Sequence, residues 1–119
     1  MTVCDAGCGT GSLAIPLALN GAEVSASDIS RSMVEEAQER YDRASKRTAM
    51  TTAPKFETKD LESLSGTYDT VTCLDVMIHY PQTQADEMIA HLASLAKQRL
   101  IISFAPKTPF YTILKRIGN

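Results

Sequence analysis

Ten residues near the start of the chain, Thr2-Val3-Cys4-Asp5-Ala6-Gly7-Cys8-Gly9-Thr10-Gly11, restrict the fold more than any other stretch. They read as a buried strand that stops at Asp5 and turns through three glycines into a helix. A glycine accepts positive φ and lets a ligand lie against bare backbone. The helix that follows is expected to offer free N–H groups and the positive end of its dipole. Together these features describe a nucleotide-type binding site. The alternative is a tight strand–helix turn with no ligand.

The spacing narrows the ligand. Dinucleotide sites favour G-x-G-x-x-G, whose second glycine lets the backbone close on a pyrophosphate. Here the run is Gly7-x-Gly9-x-Gly11, and Ser12 stands where the third glycine of that pattern belongs. Asp5 precedes the first glycine by two positions. A carboxylate there repels a pyrophosphate and suits a cation. S-adenosylmethionine carries an ammonium and a sulfonium and no phosphate. The acid-x-Gly-x-Gly-x-Gly pattern resembles the first motif of class I S-adenosylmethionine-dependent methyltransferases.

The 119 residues suffice for one domain, 1–119, with a small core. A net charge of −2 gives no broad basic surface for nucleic acid. No stretch reaches the roughly 18 apolar residues of a membrane span, and no targeting segment is visible. Because a strand begins almost at Met1, the chain is expected to be an internal piece of a longer protein. Cys4, Cys8 and Cys73 fit a reducing compartment: Cys4 and Cys73 lie in apolar strand-like runs, and Cys8 suits the glycine turn by its size. Neither His79 nor His91 has well-spaced partners, so no metal site is expected.

Strand-like and helix-like patterns alternate, which predicts an α/β fold with a parallel sheet. A helix is expected from Ser12 to Asn20, stopped by Gly21, and a second strand from Glu23 to Ser27, ending at Asp28. Ser30 is the N-cap of a second helix, whose buried face carries Met33, Val34, Ala37, Tyr41 and Ala44. Thr48 to Pro54 reads as a loop, Lys55 to Thr58 as a third strand ending at Asp60, and Ser63 to Gly66 as a turn. Tyr68 to Leu74 is a fourth strand, followed by a loop from Asp75 to Pro81. Thr83 and Asp86 suggest a capping box for a helix with Ala85, Met88, Ile89, Leu92, Ala93 and Ala96 in one stripe. Leu100 to Ala105 is a fifth strand stopped by Pro106, and Thr108-Pro109 is expected to open a last helix from Phe110.

Ligands of open α/β sheets bind beyond the carboxyl ends of the strands. Asp5, Asp28, Asp60 and Asp75 each fall near such an end. Asp28, about 20 residues after the glycine turn, suits two ribose hydroxyls, in NAD as well as in S-adenosylmethionine. Asp60 suits an exocyclic adenine amine, with Leu61 against the ring. Ile29 and Met33 are candidates to pack on the adenine or ribose, with helix-face core as the alternative. In Asp75-Val76-Met77-Ile78-His79-Tyr80-Pro81, His79 is the one histidine expected near the cleft, where it orients or deprotonates an acceptor or is simply held by backbone. Tyr80 stacks on a flat substrate or packs the loop.

Several further runs resemble the magnesium-protoporphyrin IX methyltransferase family of chlorophyll synthesis. They are Val3 to Leu13, Ser25 to Ser30, Asp60 to Gly66, Tyr68 to Val71, Cys73 to Val76, Ile78 to Pro81, Ile89 to Ala96 and Arg99 to Pro109. The glycine motif alone is shared by the whole superfamily, whereas the last two runs are specific. Arg31 to Thr52 departs most. The resemblance implies a Rossmann-like class I methyltransferase fold, a three-layer sandwich with a mostly parallel sheet, incomplete at both ends. It implies methyl transfer from S-adenosylmethionine to a propionate carboxylate of Mg-protoporphyrin IX. Cofactor contacts are implied for Asp5, Gly7, Cys8, Gly9, Gly11, Asp28, Ile29, Met33, Asp60, Leu61 and Asp75, and the catalytic position for His79. It further implies a chloroplast or cyanobacterial setting, with chlorophyll-pathway enzymes such as magnesium chelatase as partners. An N-terminal helical segment and a C-terminal part completing the sheet, with most porphyrin contacts, are expected outside the chain, leaving the fifth strand as an exposed edge and the isolated chain poorly soluble and with little methyl transfer of its own. The rival readings are an NAD-dependent oxidoreductase, a non-catalytic S-adenosylmethionine-binding module, and a methyltransferase for another small carboxylate.

Overall fold

In the first strand, Val3 and Cys4 point to opposite faces and are buried in different clusters, so this strand lies at the centre of a layered structure. The computed structural model describes residues 1–47, 52–74, 76, 81–103 and 111–114, the last four as backbone. In chain order the elements are β1 (Thr2–Ala6), α1 (Ala14–Leu19), β2 (Glu23–Asp28), α2 (Arg31–Ser45), β3 (Lys55–Thr58), a 3-10 turn (Leu61–Ser63), β4 (Tyr68–Cys73), α3 (Gln82–Leu95), β5 (Ala96–Ile102) and β6 (Tyr111–Leu114). The sheet order is β3-β2-β1-β4-β5-β6. The first five strands run parallel, and β6 runs antiparallel beside β5.

Two apolar clusters hold the layers together. On one face Val3, Val24 and Ala26 pack against Ala14, Ile15 and Ala18 of α1 and Tyr41 of α2. On the other, Cys4, Ala6, Val71, Cys73, Leu100 and Ile102 pack against Ala85, Met88, Leu92 and Leu95 of α3. Alternate residues of β1 thus serve both cores, as expected of a central parallel strand. A reciprocal pair fixes its start: Thr2 N–H donates to Asp69 Oδ2 and Asp69 N–H to Thr2 Oγ1, each at 2.9 Å.

The predicted strands β1 to β4 are present with ends shifted by no more than one residue. Helix α1 starts at Ala14, two residues later than expected, and has only six residues. It ends as predicted at Gly21 (φ 99°), where Gly21 N–H donates to Ala18 O and Ala22 N–H to Leu17 O. Ser30 caps α2, its side chain accepting from Met33 N–H. Of the expected face of α2, Ala37 and Tyr41 are buried, while Met33 is 42% exposed and turns away from the core.

Further expectations are overturned. No capping box opens α3: the helix begins at Gln82, Pro81 stands at the N-cap, and Asp86 accepts from Gln82 Nε2 instead. Pro81 (φ −59°, ψ 151°) sets the entry, which puts Thr83 inside the first turn and leaves the helix start without a side-chain cap. Strand β5 begins at Ala96, directly after α3, four residues before Leu100. Lys97, Gln98 and Arg99 are exposed, and the register steps from Tyr68↔Ala96 to Thr70↔Arg99, so the extra residue of a bulge hides the alternation. Finally, Tyr111–Leu114 is a strand rather than part of a helix, and its pairing with β5 removes the expected exposed edge. The β-branched and aromatic residues Tyr111, Thr112 and Ile113 suit a strand, and β5 has a row of backbone groups to satisfy. Phe104 to Phe110 and most of the loop from Asp75 to Tyr80 lie outside the described residues, as do 48–51 of the long loop.

Candidate ligand cavity at the sheet switch point

The strand order reverses between β1 and β4, and the crevice at such a point is where open α/β sheets bind ligands. A cavity of about 860 Å³ opens there, at the carboxyl ends of β1 to β4.

Its floor is built by the turn after β1. Gly7, Gly9 and Gly11 all have positive φ, at 77°, 56° and 86°. Gly7 N–H and Cys8 N–H both donate to Ser27 O, at 2.8 and 2.7 Å, which folds the turn across the end of β2. The glycines differ in what they make room for. A Cβ on Gly7 would collide with Cγ2 of Val76, whereas nothing lies within 4 Å of one on Gly9. Gly9 is therefore the bare backbone presented to the cavity. A Cβ on Gly11 would meet Ile15 and Ala37, so Gly11 seats α1 against α2 and does not line the cavity.

Asp28 closes the turn from the other side. Its Oδ2 accepts from Gly9 N–H and its Oδ1 from Ser30 N–H, each at 2.9 Å. One carboxylate therefore ties the glycine turn to the start of α2 and still faces the cavity with its remaining lone pairs. Asp60 caps the 3-10 turn by accepting from Ser63 N–H at 3.0 Å and also lines the cavity. Leu61 beside it is buried.

Asp5 is the most unusual acid of the site. It lines the cavity yet is only 3% exposed, and it accepts from Thr72 Oγ1 at 2.8 Å. Burial raises its pKa from 3.8 to about 6; the Thr72 hydrogen bond opposes the rise and the charge of Asp28 adds to it. Burial likewise pushes the Cys8 thiol up to about 12, helped by Asp5 and Asp28. It is a protonated side chain in the turn, donating to Gly9 O at 3.6 Å.

The structure thus gathers Asp5, Gly7, Cys8, Gly9, Asp28 and Asp60 around one cavity, with Ile29, Met33 and Leu61 on its wall. Ile29 and Met33 are 77% and 42% exposed, so they belong to this wall and not to the core. Asp75 and His79 lie outside the described residues. The sequence reading missed Lys59, Glu62 and Val76, which also line the cavity, and Thr72, which holds Asp5. Lys59 and Glu62 flank the noted Asp60-Leu61 pair, so adjacency was their only signal. Thr72 faces Asp5 through the β1–β4 register, which no local pattern reveals.

The carboxylates of Asp5, Asp28, Asp60 and Glu62 face this cavity with Lys59 as the one cation among its described lining residues. Such a balance suits a cationic ligand with hydroxyl and amine donors and disfavours a pyrophosphate. An open Gly9 and a volume of this size fit an adenosyl ligand.

Residues 73–119 match a family model described as magnesium-protoporphyrin IX methyltransferase C-terminus. The whole chain is 66% identical to the chloroplastic magnesium protoporphyrin IX methyltransferase of Arabidopsis thaliana, covering 37% of that protein. It is 59% identical to the magnesium-protoporphyrin O-methyltransferase of Synechocystis, covering 50% of it. The chain therefore spans half or less of the length of these curated relatives. A crystal structure of the Synechocystis magnesium protoporphyrin IX methyltransferase with bound SAH superposes with a TM-score of 0.81 at 60% identity, over 89% of this chain and 47% of that one. A Clostridium acetobutylicum S-adenosylmethionine-dependent methyltransferase shares the fold at 20% identity, with a TM-score of 0.70 over 85% of this chain and 41% of that one. The chain has the Rossmann-like fold of class I methyltransferases, and along its whole length it is similar to one part of the magnesium-protoporphyrin IX methyltransferases.

Proposed function

We propose that this chain, as one domain over 1–119, is the S-adenosylmethionine-binding part of an O-methyltransferase that esterifies a propionate carboxylate of Mg-protoporphyrin IX. The observation that carries the reading is the acid-lined, glycine-floored cavity at the switch point. Similarity along the whole chain to proteins named for that substrate supports the choice of acceptor. S-adenosylmethionine supplies an electrophilic methyl group on its sulfonium.

The residues divide the work of holding the cofactor. Gly7, Cys8 and Gly9 form its backbone cradle, and Gly11 keeps that cradle seated by packing α1 on α2. Asp28 takes the ribose hydroxyls with the lone pairs its two backbone bonds leave free. Asp60 and Leu61 take the adenine, Ile29 and Met33 cover it, and Asp5 faces the cationic end. Asp75 is assigned to the cofactor as well. A propionate is already ionised at neutral pH, so no strong base is required. The protein contributes alignment and exclusion of water. His79 is assigned to orient the acceptor carboxylate. The proposed setting is the chloroplast or the cyanobacterial thylakoid surface, with magnesium chelatase as a neighbouring enzyme. Among the described residues no helix is long and apolar enough to cross a membrane.

The test is methyl transfer by the full-length protein, the chain of 119 residues alone being expected to show little of it. Mg-protoporphyrin IX and methyl-labelled S-adenosylmethionine are expected to give the labelled monomethyl ester, read by mass spectrometry. His79→Ala is expected to lower turnover more than cofactor affinity. Label appearing in another carboxylate and not in the porphyrin would replace the acceptor, and unchanged turnover would remove His79 from the mechanism.

A further inference from the structure

Asp5 is a buried carboxylate whose one side-chain hydrogen bond among the described residues comes from a neutral hydroxyl, Thr72 Oγ1. It takes part in no ion pair among the described residues, in contrast to Glu35, Glu36 and Glu57 on the surface. A second carboxylate, Asp28, lines the same cavity. A structural role alone does not account for this arrangement, because a buried acid with no cation lowers stability when charged. The cavity supplies what Asp5 lacks: a place for a cation that comes and goes.

The groups around Asp5 leave that place open. Its own strand brings Cys4 and the following turn Cys8, both thiols held protonated by burial. Strand β4 brings Thr72 and Cys73, the latter protonated for the same reason. Strand β2 brings Asp28, which opposes ionisation of Asp5. Lys59, after β3, is bonded to Glu57 at 3.4 Å. Each described neighbour is therefore neutral, anionic or already paired.

We infer that Asp5 makes the cavity discriminate between the sulfonium cofactor and the thioether product, by releasing its proton when the sulfonium binds and retaining more of it under the product. This rests on the S-adenosylmethionine reading above. S-adenosylmethionine and S-adenosylhomocysteine differ by a methyl group and one positive charge. Both keep the α-ammonium, which favours an ionised Asp5 in either complex, so the added sulfonium charge alone separates the two. Above the titration of Asp5 the cavity favours the cofactor, and below it the preference shrinks. Loss of the sulfonium charge on methyl transfer then favours release of the product. A raised Asp5 pKa of about 6 puts this change close to neutral pH.

Calorimetry of the full chain with each ligand between pH 5 and 7.5, in buffers of differing ionisation heat, tests it. S-adenosylmethionine is expected to bind about tenfold more weakly at pH 5 than at pH 7, with protons released near pH 6. S-adenosylhomocysteine is expected to change by less than about threefold, and its shared amine controls for titration of the ligand. Asp5→Asn is expected to abolish both the slope and the proton release. Should that variant not fold, the carboxyl ¹³C titration of Asp5 in the unaltered chain decides: its midpoint must drop on binding the sulfonium and drop less on binding the thioether. Equal slopes for the two ligands, binding without proton release, or a slope that persists in Asp5→Asn each overturn the inference. Binding of neither ligand at any pH overturns the cofactor reading itself and this inference with it.

Discussion

Asp28 holds Gly9 by a 2.9 Å hydrogen bond from the glycine N–H to Oδ2, linking the end of β2 to the open glycine of the turn after β1. The same carboxylate accepts from Ser30 N–H through Oδ1. A position chosen in the sequence for ribose therefore also shapes the cradle. Asp28→Ala removes an anionic acceptor from two backbone donors as well as from the ligand. Cofactor binding is expected to weaken by about 1–3 kcal/mol, and the melting temperature to fall. Calorimetry and thermal unfolding check the two effects, and unchanged affinity in a folded variant would limit Asp28 to the turn.

The glycines of the turn are expected to respond differently to the same substitution. Gly7→Ala meets both a positive φ and Cγ2 of Val76, so a loss of about 2–4 kcal/mol of stability is expected. Gly9→Ala also has a positive φ but open space around its Cβ, so about 1 kcal/mol is expected. Its cost falls on binding, because the methyl group enters the cavity. Urea unfolding of the two variants beside ligand titration separates these outcomes.

These local effects mirror what the sequence alone made visible. The strand–glycine–helix stretch, the four parallel strands and the Ser30 cap depend on residues close together in the chain, and each reads directly from it. Tyr111–Leu114 does not, because a short apolar run suits helix or strand equally and β5 decides the matter by pairing. The early start of β5 is hidden by Lys97, Gln98 and Arg99, whose exposure interrupts the apolar pattern. In the cavity, the acids at the strand ends were legible because topology repeats their position. Thr72 was not, since only register places it opposite Asp5.

The pKa of Asp5 also predicts how the free protein responds to pH. Its folded value of about 6 lies above the ordinary 3.8, so between these values the native form binds more protons than the unfolded chain. Its contribution to stability is fully present below about pH 4 and is lost as pH rises through about 6. Asp5→Asn removes that penalty and is expected to be about 2–3 kcal/mol more stable than the unaltered chain at pH 8. The difference is expected to vanish near pH 4. Denaturant unfolding across this range checks it, and a variant less stable at pH 8 than at pH 5 relative to the parent would reverse the assignment.

The central claim is that the cavity binds a cationic adenosyl ligand and not a dinucleotide. Calorimetric titration of the chain with S-adenosylmethionine, S-adenosylhomocysteine and NAD at pH 7.5 tests it most directly. Saturable binding of both adenosyl sulfur ligands and none of NAD is the predicted result; micromolar binding of NAD alone would contradict it.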